Sequence, residues 1–172
     1  DLGDVVAAFD PAPRVAEYAR RAGLTPAEVR DRLSSNGFWL NTDRGTFSAA
    51  EMHEQICALL GFQFSRDELL RLQAAAFTVR PEMLRIAEAV STRVGILTNN
   101  APLLAEALPA YLSQMVRVFD PILFSFQFRH VKPEPELFAA VCSWLAVEPG
   151  KILLVDDQFR RPGVFQLLGQ SR

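Results

Sequence analysis

The sequence has 172 residues, of which 49% are apolar and 22% charged, and its formal net charge is −2. This composition is that of one ordinary globular core with room for a small inserted lobe. It contains no basic tract that would indicate a nucleic-acid partner, no apolar run of the roughly 18–20 residues that a membrane span needs, and no visible signal peptide. Cys57 and Cys142 lie in apolar, helix-like patterns, so we interpret both as reduced core residues of a cytoplasmic protein.

The first 78 residues predict a strand exit followed by a helical segment. Asp1-Leu2-Gly3 joins an acid to a glycine that can adopt unusual backbone angles, which is typical of a strand running into a loop. Beyond a proline-rich connector at residues 9–13, apolar residues recur at helical spacing. Three capping boxes, which begin at Thr25, Ser48 and Ser65, each open a short amphipathic helix. With no strands between them, these helices are expected to pack on one another as a small bundle.

From Val79 onward, apolar strands and helices alternate, which predicts a parallel sheet with crossover helices. Extended stretches are expected at residues 94–97, 116–119 and 152–155, with a further short strand within residues 122–128. The last of these has four consecutive apolar residues and is expected to be a strand buried on both faces. The predicted fold class is α/β, with a Rossmann-like parallel sheet flanked by helices. Residues 1–12 and 79–172 form this core domain, and residues 13–78 form an inserted α-helical domain.

Polar side chains follow three of the predicted strands. Asp1, the Thr98-Asn99-Asn100 run and the Asp156-Asp157 pair lie at strand ends, and Lys132 lies on a loop before a helix. The carboxyl ends of parallel strands meet at one edge of a sheet, so these groups could form a single site. Adjacent carboxylates suit a hard cation such as Mg²⁺, although aspartate is also a common helix N-cap, and the pair alone leaves both interpretations open. Together the four groups are what phosphoryl transfer to an aspartate needs.

The order of these motifs resembles that of the haloacid dehalogenase-like (HAD) hydrolase superfamily. The opening Asp-Leu-Gly, the Leu-Thr-Asn-Asn at 97–100 and the Lys-Pro-Glu-Pro-Glu-Leu-Phe at 132–138 are most similar to its sugar-phosphate phosphatases, of the bacterial α-D-glucose-1-phosphate phosphatase kind. The resemblance implies a Mg²⁺-dependent phosphatase that acts on a small phosphorylated metabolite, with a sugar phosphate among the candidates. It also implies that the helical segment is a small cap of the four-helix-bundle type.

By this resemblance Asp1 is the nucleophile, which forms an aspartyl-phosphate and also binds Mg²⁺. The carbonyl of Gly3 and the carboxylate of Asp157 are the other implied ligands, with Asp156 binding the metal directly or supporting a residue that does.

The implied phosphate-binding groups are Thr98, the backbone N–H of Asn99, and Lys132, which neutralises the phosphoryl charge. Sixteen of the 18 basic residues are arginines, and the retention of lysine at 132 favours a compact point charge there. Arg44, on a turn of the helical segment, either reaches the substrate or is a solvated turn residue, and Arg14 has the same two interpretations.

Two departures from the family pattern keep alternatives open. Many phosphatases of the superfamily carry a second aspartate, the general acid and base, where this chain has Gly3; Asp4 is a possible substitute. The segment from Gln158 to Gly163 lacks the usual asparagine and is one residue short. A 2-haloacid dehalogenase and a non-catalytic binding protein of the same fold are therefore the alternatives. We expect a monomer or homodimer, and we expect residues of the complete fold to precede Asp1 and to follow Arg172.

Overall fold

The computed structural model describes residues 1–157, with the backbone alone for Asn36. The strands in this range are β1 (Ala7–Phe9), β2 (Phe77–Val79), β3 (Ile96–Thr98) and β4 (Ile122–Phe124). The α-helices are α1 (Ala12–Ala22), α2 (Pro26–Ser34), α3 (Phe38–Asp43), α4 (Ala49–Leu60), α5 (Arg66–Ala74), α6 (Pro81–Ala89), α7 (Pro102–Tyr111), α8 (Ser113–Val118) and α9 (Pro135–Leu145). Single 3-10 turns lie at Ser35–Gly37, Ser125–Gln127 and Pro149–Lys151.

Helices α1 to α5 form a helical segment around one apolar core, to which Ala101 and Leu103 at the start of α7 also contribute. Tyr18, Met52, Ile56 and Leu69 are completely buried in this core, and they come from α1, α4 and α5. Each helix therefore buries one face against its neighbours, as the helical spacing of apolar residues predicted. Helix α3 was not predicted, because it has only six residues and no capping box opens it.

The three predicted capping boxes are confirmed. In each, the hydroxyl of Thr25, Ser48 or Ser65 accepts a hydrogen bond from the backbone N–H three residues later, and the glutamate at that position bonds back to the cap's own N–H. These bonds satisfy N–H groups that have no partner within the helix. They therefore fix the residues at which α2, α4 and α5 begin.

A short antiparallel pair joins the two ends of the helical segment. Strand β1 enters it and β2 leaves it, and the two pair with Ala7 opposite Val79 and Phe9 opposite Phe77. The chain thus enters and leaves the helical segment side by side. The proposed division into domains at residues 13 and 78 stays a prediction.

The remainder of the described chain is an α/β unit. Strands β3 and β4 are parallel, with Ile96 opposite Ile122 and Thr98 opposite Phe124, and α7 and α8 connect them. The second apolar core lies beside this pair and includes the completely buried Leu2 and Met115. The α/β class and a parallel strand pair with a helical crossover are therefore confirmed.

The expectation of an extended stretch at residues 116–119 was wrong. These residues belong mostly to α8, and the apolar side chains of Leu112, Met115 and Phe119 are buried at helical spacing, whereas Val116 is 45% exposed. β-Branched valines at 116 and 118 favour a strand locally. Packing of the 112/115/119 face against the second core outweighs that preference.

The expectation of a strand buried on both faces at residues 152–155 was also wrong for the described chain. No strand is formed there, and Leu153 and Val155 are 81% and 57% exposed. Apolar runs are buried only where other elements cover both sides, and residues 1–157 leave one side of this segment uncovered. The predicted departure at residues 158–163 lies outside the described residues. In the part of the chain that the structure describes, none of the helices is both long enough and apolar enough to cross a membrane.

Candidate active site

Four charged side chains from distant parts of the sequence meet at one place. The Nζ atom of Lys132 lies 2.9 Å from Oδ1 of Asp1 and 2.6 Å from Oδ2 of Asp156. One carboxylate oxygen from each of Asp1, Asp156 and Asp157 can be chosen such that all three lie within 4.8 Å of one another. The structure therefore brings together the three acids and the lysine that the sequence singled out.

Asp1 is oriented by its own neighbours. Its Oδ1 accepts a hydrogen bond of 2.6 Å from the backbone N–H of Leu2, and its backbone nitrogen donates to the carbonyl of Val155 at 2.7 Å. Leu2 is completely buried in the second core. The buried leucine thus anchors the backbone beside the carboxylate, and the bond to Val155 brings Asp1 next to Asp156.

Lys132 is held in place by Asn99. The backbone N–H of Lys132 donates to Oδ1 of Asn99 at 2.8 Å, and Nδ2 of Asn99 donates to the carbonyl of Lys132 at 3.0 Å. Burial lowers the pKa of Lys132 below its ordinary value, while the hydrogen bond to Asp156 and the charges of Asp156 and Asp157 oppose that shift. From the sequence, only the backbone of Asn99 was expected to have a role. A side-chain amide has both a donor and an acceptor, so it can bond both the N–H and the carbonyl of one residue. This property was the feature of the sequence that could have indicated the contact.

Thr98 lies at the end of β3 and is completely buried. Its Oγ1 accepts a hydrogen bond of 2.7 Å from Nδ2 of Asn100. Because the oxygen accepts that bond, the hydroxyl proton can be directed to another acceptor. Thr98 and Asn99 thus occupy consecutive positions at the strand end, with Asn99 in contact with the lysine.

Gly3 and Asp4 lie in the turn between Asp1 and β1. An added Cβ at Gly3 would meet Cβ of Phe9 at 3.7 Å, an ordinary van der Waals contact. The Oδ1 atom of Asp4 accepts a hydrogen bond of 3.1 Å from the backbone N–H of Phe9, and Arg80 lies 4.0 Å away. In the described chain the side chain of Asp4 therefore contacts Phe9 and Arg80 and supports the turn rather than the group of acids and lysine.

Arg44 lies immediately after α3 and forms an ion pair with Glu134. Glu134 is two residues beyond Lys132 and immediately precedes α9. The arginine thus connects the helical segment to the loop that carries the lysine. Neither sequence interpretation included this ion pair, and the role of Arg44 in substrate binding stays a prediction.

Arg14 is not a solvated residue, since only 8% of its surface is exposed. Its guanidinium donates to Oε1 of Gln73 at 2.7 Å and lies 4.9 Å from the centre of the Trp39 ring. Burial raises the pKa of the nearby Asp43 carboxyl to about 7, although the charge of Arg14 opposes that shift. These groups form a polar cluster inside the helical segment.

The group of three acids has the composition of a site for a hard divalent cation. Three carboxylates and one ammonium leave a formal charge of about −2, which a divalent cation would balance. Oxygens bound to one Mg²⁺ lie roughly 3 to 4 Å apart, so the three oxygens within 4.8 Å need only small side-chain adjustments. The residues present therefore fit Mg²⁺.

Two curated relatives resemble this chain over most of its length. One is the D-ribitol-5-phosphate phosphatase of Bacteroides thetaiotaomicron, which is 26% identical over 166 residues that cover 91% of this chain and 80% of the relative. The other is phosphatase MT3486 of Mycobacterium tuberculosis, 29% identical over 170 residues that cover 91% and 76%. Both relatives are phosphatases, so the comparison supports a hydrolase. No protein-family model matches the sequence.

The chain resembles solved structures more in fold than in sequence. The HAD family enzyme bt-2542 of Bacteroides thetaiotaomicron, solved in complex with magnesium and inorganic phosphate, aligns with 99% of this chain and 89% of its own at a TM-score of 0.81 and 20% identity. A HAD-like family hydrolase of Porphyromonas gingivalis aligns with 98% and 85% at a TM-score of 0.77 and 19% identity. The fold is that of the HAD-family enzymes. At these identities the solved structures show the fold alone, and the glucose-1-phosphate phosphatase-like subgroup is unconfirmed.

Proposed function

We propose that the chain is a Mg²⁺-dependent HAD phosphatase that hydrolyses a small phosphorylated metabolite through a phosphoaspartate at Asp1. The observation that carries this proposal is the contact of Lys132 Nζ with both Asp1 and Asp156. A lysine that touches the nucleophile and an acid of the metal group lies where the phosphoryl oxygens of a substrate would need neutralisation. The fold and the two phosphatase relatives support the same assignment.

Asp1, Asp156, Asp157 and the carbonyl of Gly3 are the groups proposed to hold Mg²⁺. When bound, the ion would supply positive charge to the phosphoryl oxygens and keep the ester next to the nucleophile.

The remaining steps belong to the chain's own residues. The Asp1 carboxylate attacks phosphorus, the bond from phosphorus to the ester oxygen breaks, and the departing oxygen takes a proton from water. A second water molecule then attacks the phosphorus of the acyl phosphate, which releases inorganic phosphate and restores the Asp1 carboxylate. The hydroxyl of Thr98 and the backbone N–H of Asn99 donate to phosphoryl oxygens, and the Lys132 ammonium neutralises them. The hydrogen bond from Asn100 to Thr98 supports this role, because it leaves the threonine proton for the substrate.

We further propose that the helical segment, assigned to residues 13–78, is a small cap of the four-helix-bundle type that determines which ester binds. The D-ribitol-5-phosphate phosphatase relative supports a sugar or polyol phosphate as substrate, and the α-D-glucose-1-phosphate phosphatase-like subgroup is one form of that proposal. The protein is proposed to act in the cytoplasm as a monomer or homodimer, without a nucleic-acid partner.

The decisive experiment is phosphate release from a panel of sugar, polyol and aryl phosphates. We expect hydrolysis with Mg²⁺ and a rate at least about 100-fold lower in excess EDTA. The rate should recover when Mg²⁺ is added beyond the EDTA concentration. Halide release from a 2-haloacid in EDTA would instead identify a dehalogenase. Binding of Mg²⁺ or phosphate without turnover of any ester would identify a non-catalytic protein.

Substitution of Gly3 by aspartate should increase activity. The position has room for a Cβ, and its backbone is outside the left-handed region that favours glycine. A carboxyl group there would provide the general acid of the family pattern, and such groups contribute about 10²–10⁴-fold to rates. We expect kcat for alkyl phosphates, which have poor leaving groups, to rise at least about tenfold, and kcat for p-nitrophenyl phosphate to change less. Gly3→Asn, of equal size without the acid, is the control, and an equal gain in that variant would contradict the acid's role.

A further inference from the structure

The end of α3 and the turn that follows it make three polar contacts with the segment that carries Lys132. We call residues 43–45, from the last residue of α3 onward, the cap turn. The hydroxyl of Ser125 donates to the carbonyl of Asp43 at 2.7 Å, the guanidinium of Arg129 donates to the carbonyl of Gly45, and Arg44 pairs with Glu134. The contacts therefore extend along the core segment from residue 125 to residue 134.

The backbones also approach closely at Gly45. This residue has φ of 70°, and an added Cβ would lie 2.5 Å from the carbonyl oxygen of Phe126. Only glycine fits this conformation and this distance. The cap turn is therefore shaped to lie against the core, and the ion pair of Arg44 belongs to that fitted surface.

Glu134 connects this surface to the turn that contains Lys132. Its Oε2 accepts a hydrogen bond of 3.2 Å from the backbone N–H of Val131, and the backbone N–H of Glu134 donates to the carbonyl of Val131 at 2.8 Å. Partial burial raises the pKa of Glu134, but the bond from Val131, the charge of Arg44 and the bond from His130 outweigh it and hold that pKa below its ordinary value. Glu134 is therefore a carboxylate at neutral pH. Its two hydrogen bonds to Val131 close the turn at residues 131–134, which contains Lys132.

We propose that Arg44 and Glu134 are positioning residues, in which Arg44 of the cap orients Glu134 and Glu134 fixes the turn that presents Lys132 to Asp1 and Asp156. Asn99 holds the backbone of Lys132 from the core side, and the Arg44–Glu134 pair holds the same turn from the cap side. The ammonium is thus fully aligned only while the cap turn lies against the core. As a statement about catalysis, this inference rests on the proposed function.

The first test compares steady-state kinetics of Arg44→Met and Glu134→Gln with p-nitrophenyl phosphate. A small displacement of a catalytic group can lower a rate by up to about 100-fold, so we expect kcat to fall about tenfold in each variant with KM changed less than about twofold. The double variant should be no slower than either single variant, because both changes disrupt one unit. Arg44→Lys, which keeps the charge, should recover part of kcat.

Arg66→Met is the matched control. Arg66 of α5 pairs with Glu106 of α7, so it also joins the cap to the core through a partly exposed ion pair. Its partner is remote in sequence from Lys132, and we expect kcat to stay within about twofold of the wild-type value. Surface ion pairs contribute little to folding stability, so the melting temperatures of all these variants should be similar.

A second readout does not depend on activity. The chain has two lysines, Lys132 and Lys151, so selective ¹⁵N-lysine labelling gives two backbone amide signals, which Lys151→Met assigns. We expect Arg44→Met and Glu134→Gln to shift the Lys132 signal and leave the Lys151 signal in place, and Arg66→Met to shift neither.

The outcomes separate this inference from the proposed function. A wild-type protein that hydrolyses no ester would overturn the proposed function, and the Lys132 amide signal would still decide the positioning role. An active protein in which Arg44→Met retains kcat, or raises only KM, would overturn the inference and would favour substrate contact by Arg44. Rate losses in Arg44→Met and Glu134→Gln that multiply in the double variant would also overturn it.

Discussion

Asp1→Asn is expected to lower phosphate release by at least about 10⁴-fold, because an amide cannot serve as the nucleophile that accepts the phosphoryl group. Asparagine has almost the same shape, and its side-chain oxygen can still accept the hydrogen bond from the backbone N–H of Leu2. The fold should therefore remain, which circular dichroism and the melting temperature can verify. The activity measurement is Mg²⁺-dependent phosphate release with p-nitrophenyl phosphate.

Asp4→Asn is the matched control for this change. Asp4 has φ of 55°, a conformation that asparagine tolerates well, and its contacts are with Phe9 and Arg80. We expect the control to keep its rate within about threefold of the wild-type value. If Asp1→Asn retained the full Mg²⁺-dependent rate, the phosphoaspartate mechanism would be wrong. Loss of activity in Asp4→Asn alone would assign the acid–base role to Asp4.

Lys132→Met is expected to lower kcat by about 10²–10³-fold. Methionine keeps an unbranched chain of similar length but removes the positive charge, and the loss of one preorganised charge-stabilising group has an effect of that size in other enzymes. The acids Asp1 and Asp156 would then lie together without their ammonium partner. We therefore expect the Mg²⁺ concentration needed for half-maximal rate to fall or stay the same while kcat falls, which a Mg²⁺ titration measures.

Two variants provide the comparison for Lys132→Met. Lys151→Met removes the other lysine, which is exposed, and should leave both kcat and the Mg²⁺ requirement unchanged. Lys132→Arg keeps the charge as a planar, wider group and should lose an intermediate part of the rate. Equal rates in Lys132→Met and Lys132→Arg would contradict a role for the charge.

Local sequence signals predicted the helical segment well. The capping boxes at Thr25, Ser48 and Ser65 each satisfy N–H groups within four residues, so their effect does not depend on distant packing. Strands β1 and β2 were missed because each has three residues and is defined by its partner some 70 positions away. Helix α8 could have been predicted in place of an extended stretch at 116–119, because the apolar residues from Leu112 to Phe119 recur at helical spacing.

The composition of the site could also be predicted from polar groups that follow apolar runs, although of these groups only Thr98 ends a strand in the described chain. What the sequence could not provide was the second layer of contacts. The hydrogen bond from Asn99 to Lys132 joins residues 33 positions apart. The ion pair between Arg44 and Glu134 joins residues 90 positions apart. Such contacts depend on loop geometry, and neither has a spacing in the sequence that could reveal it.

The hydrogen bond between Asp1 and Val155 joins two residues that are 154 positions apart. Closing a loop of this length has an entropic cost, and the closed form lasts only while the rest of the fold holds its ends together. Asp1, the proposed nucleophile, and the acids at 156 and 157 therefore come together only when both ends of this long loop are in place. A cation held between them would act as a reversible cross-link, and its stabilisation of the native state would grow with the logarithm of its concentration above the dissociation constant. Loss of this contact would part Asp1 from Asp156 and Asp157 in a single event, and under the proposed function activity would be lost with it.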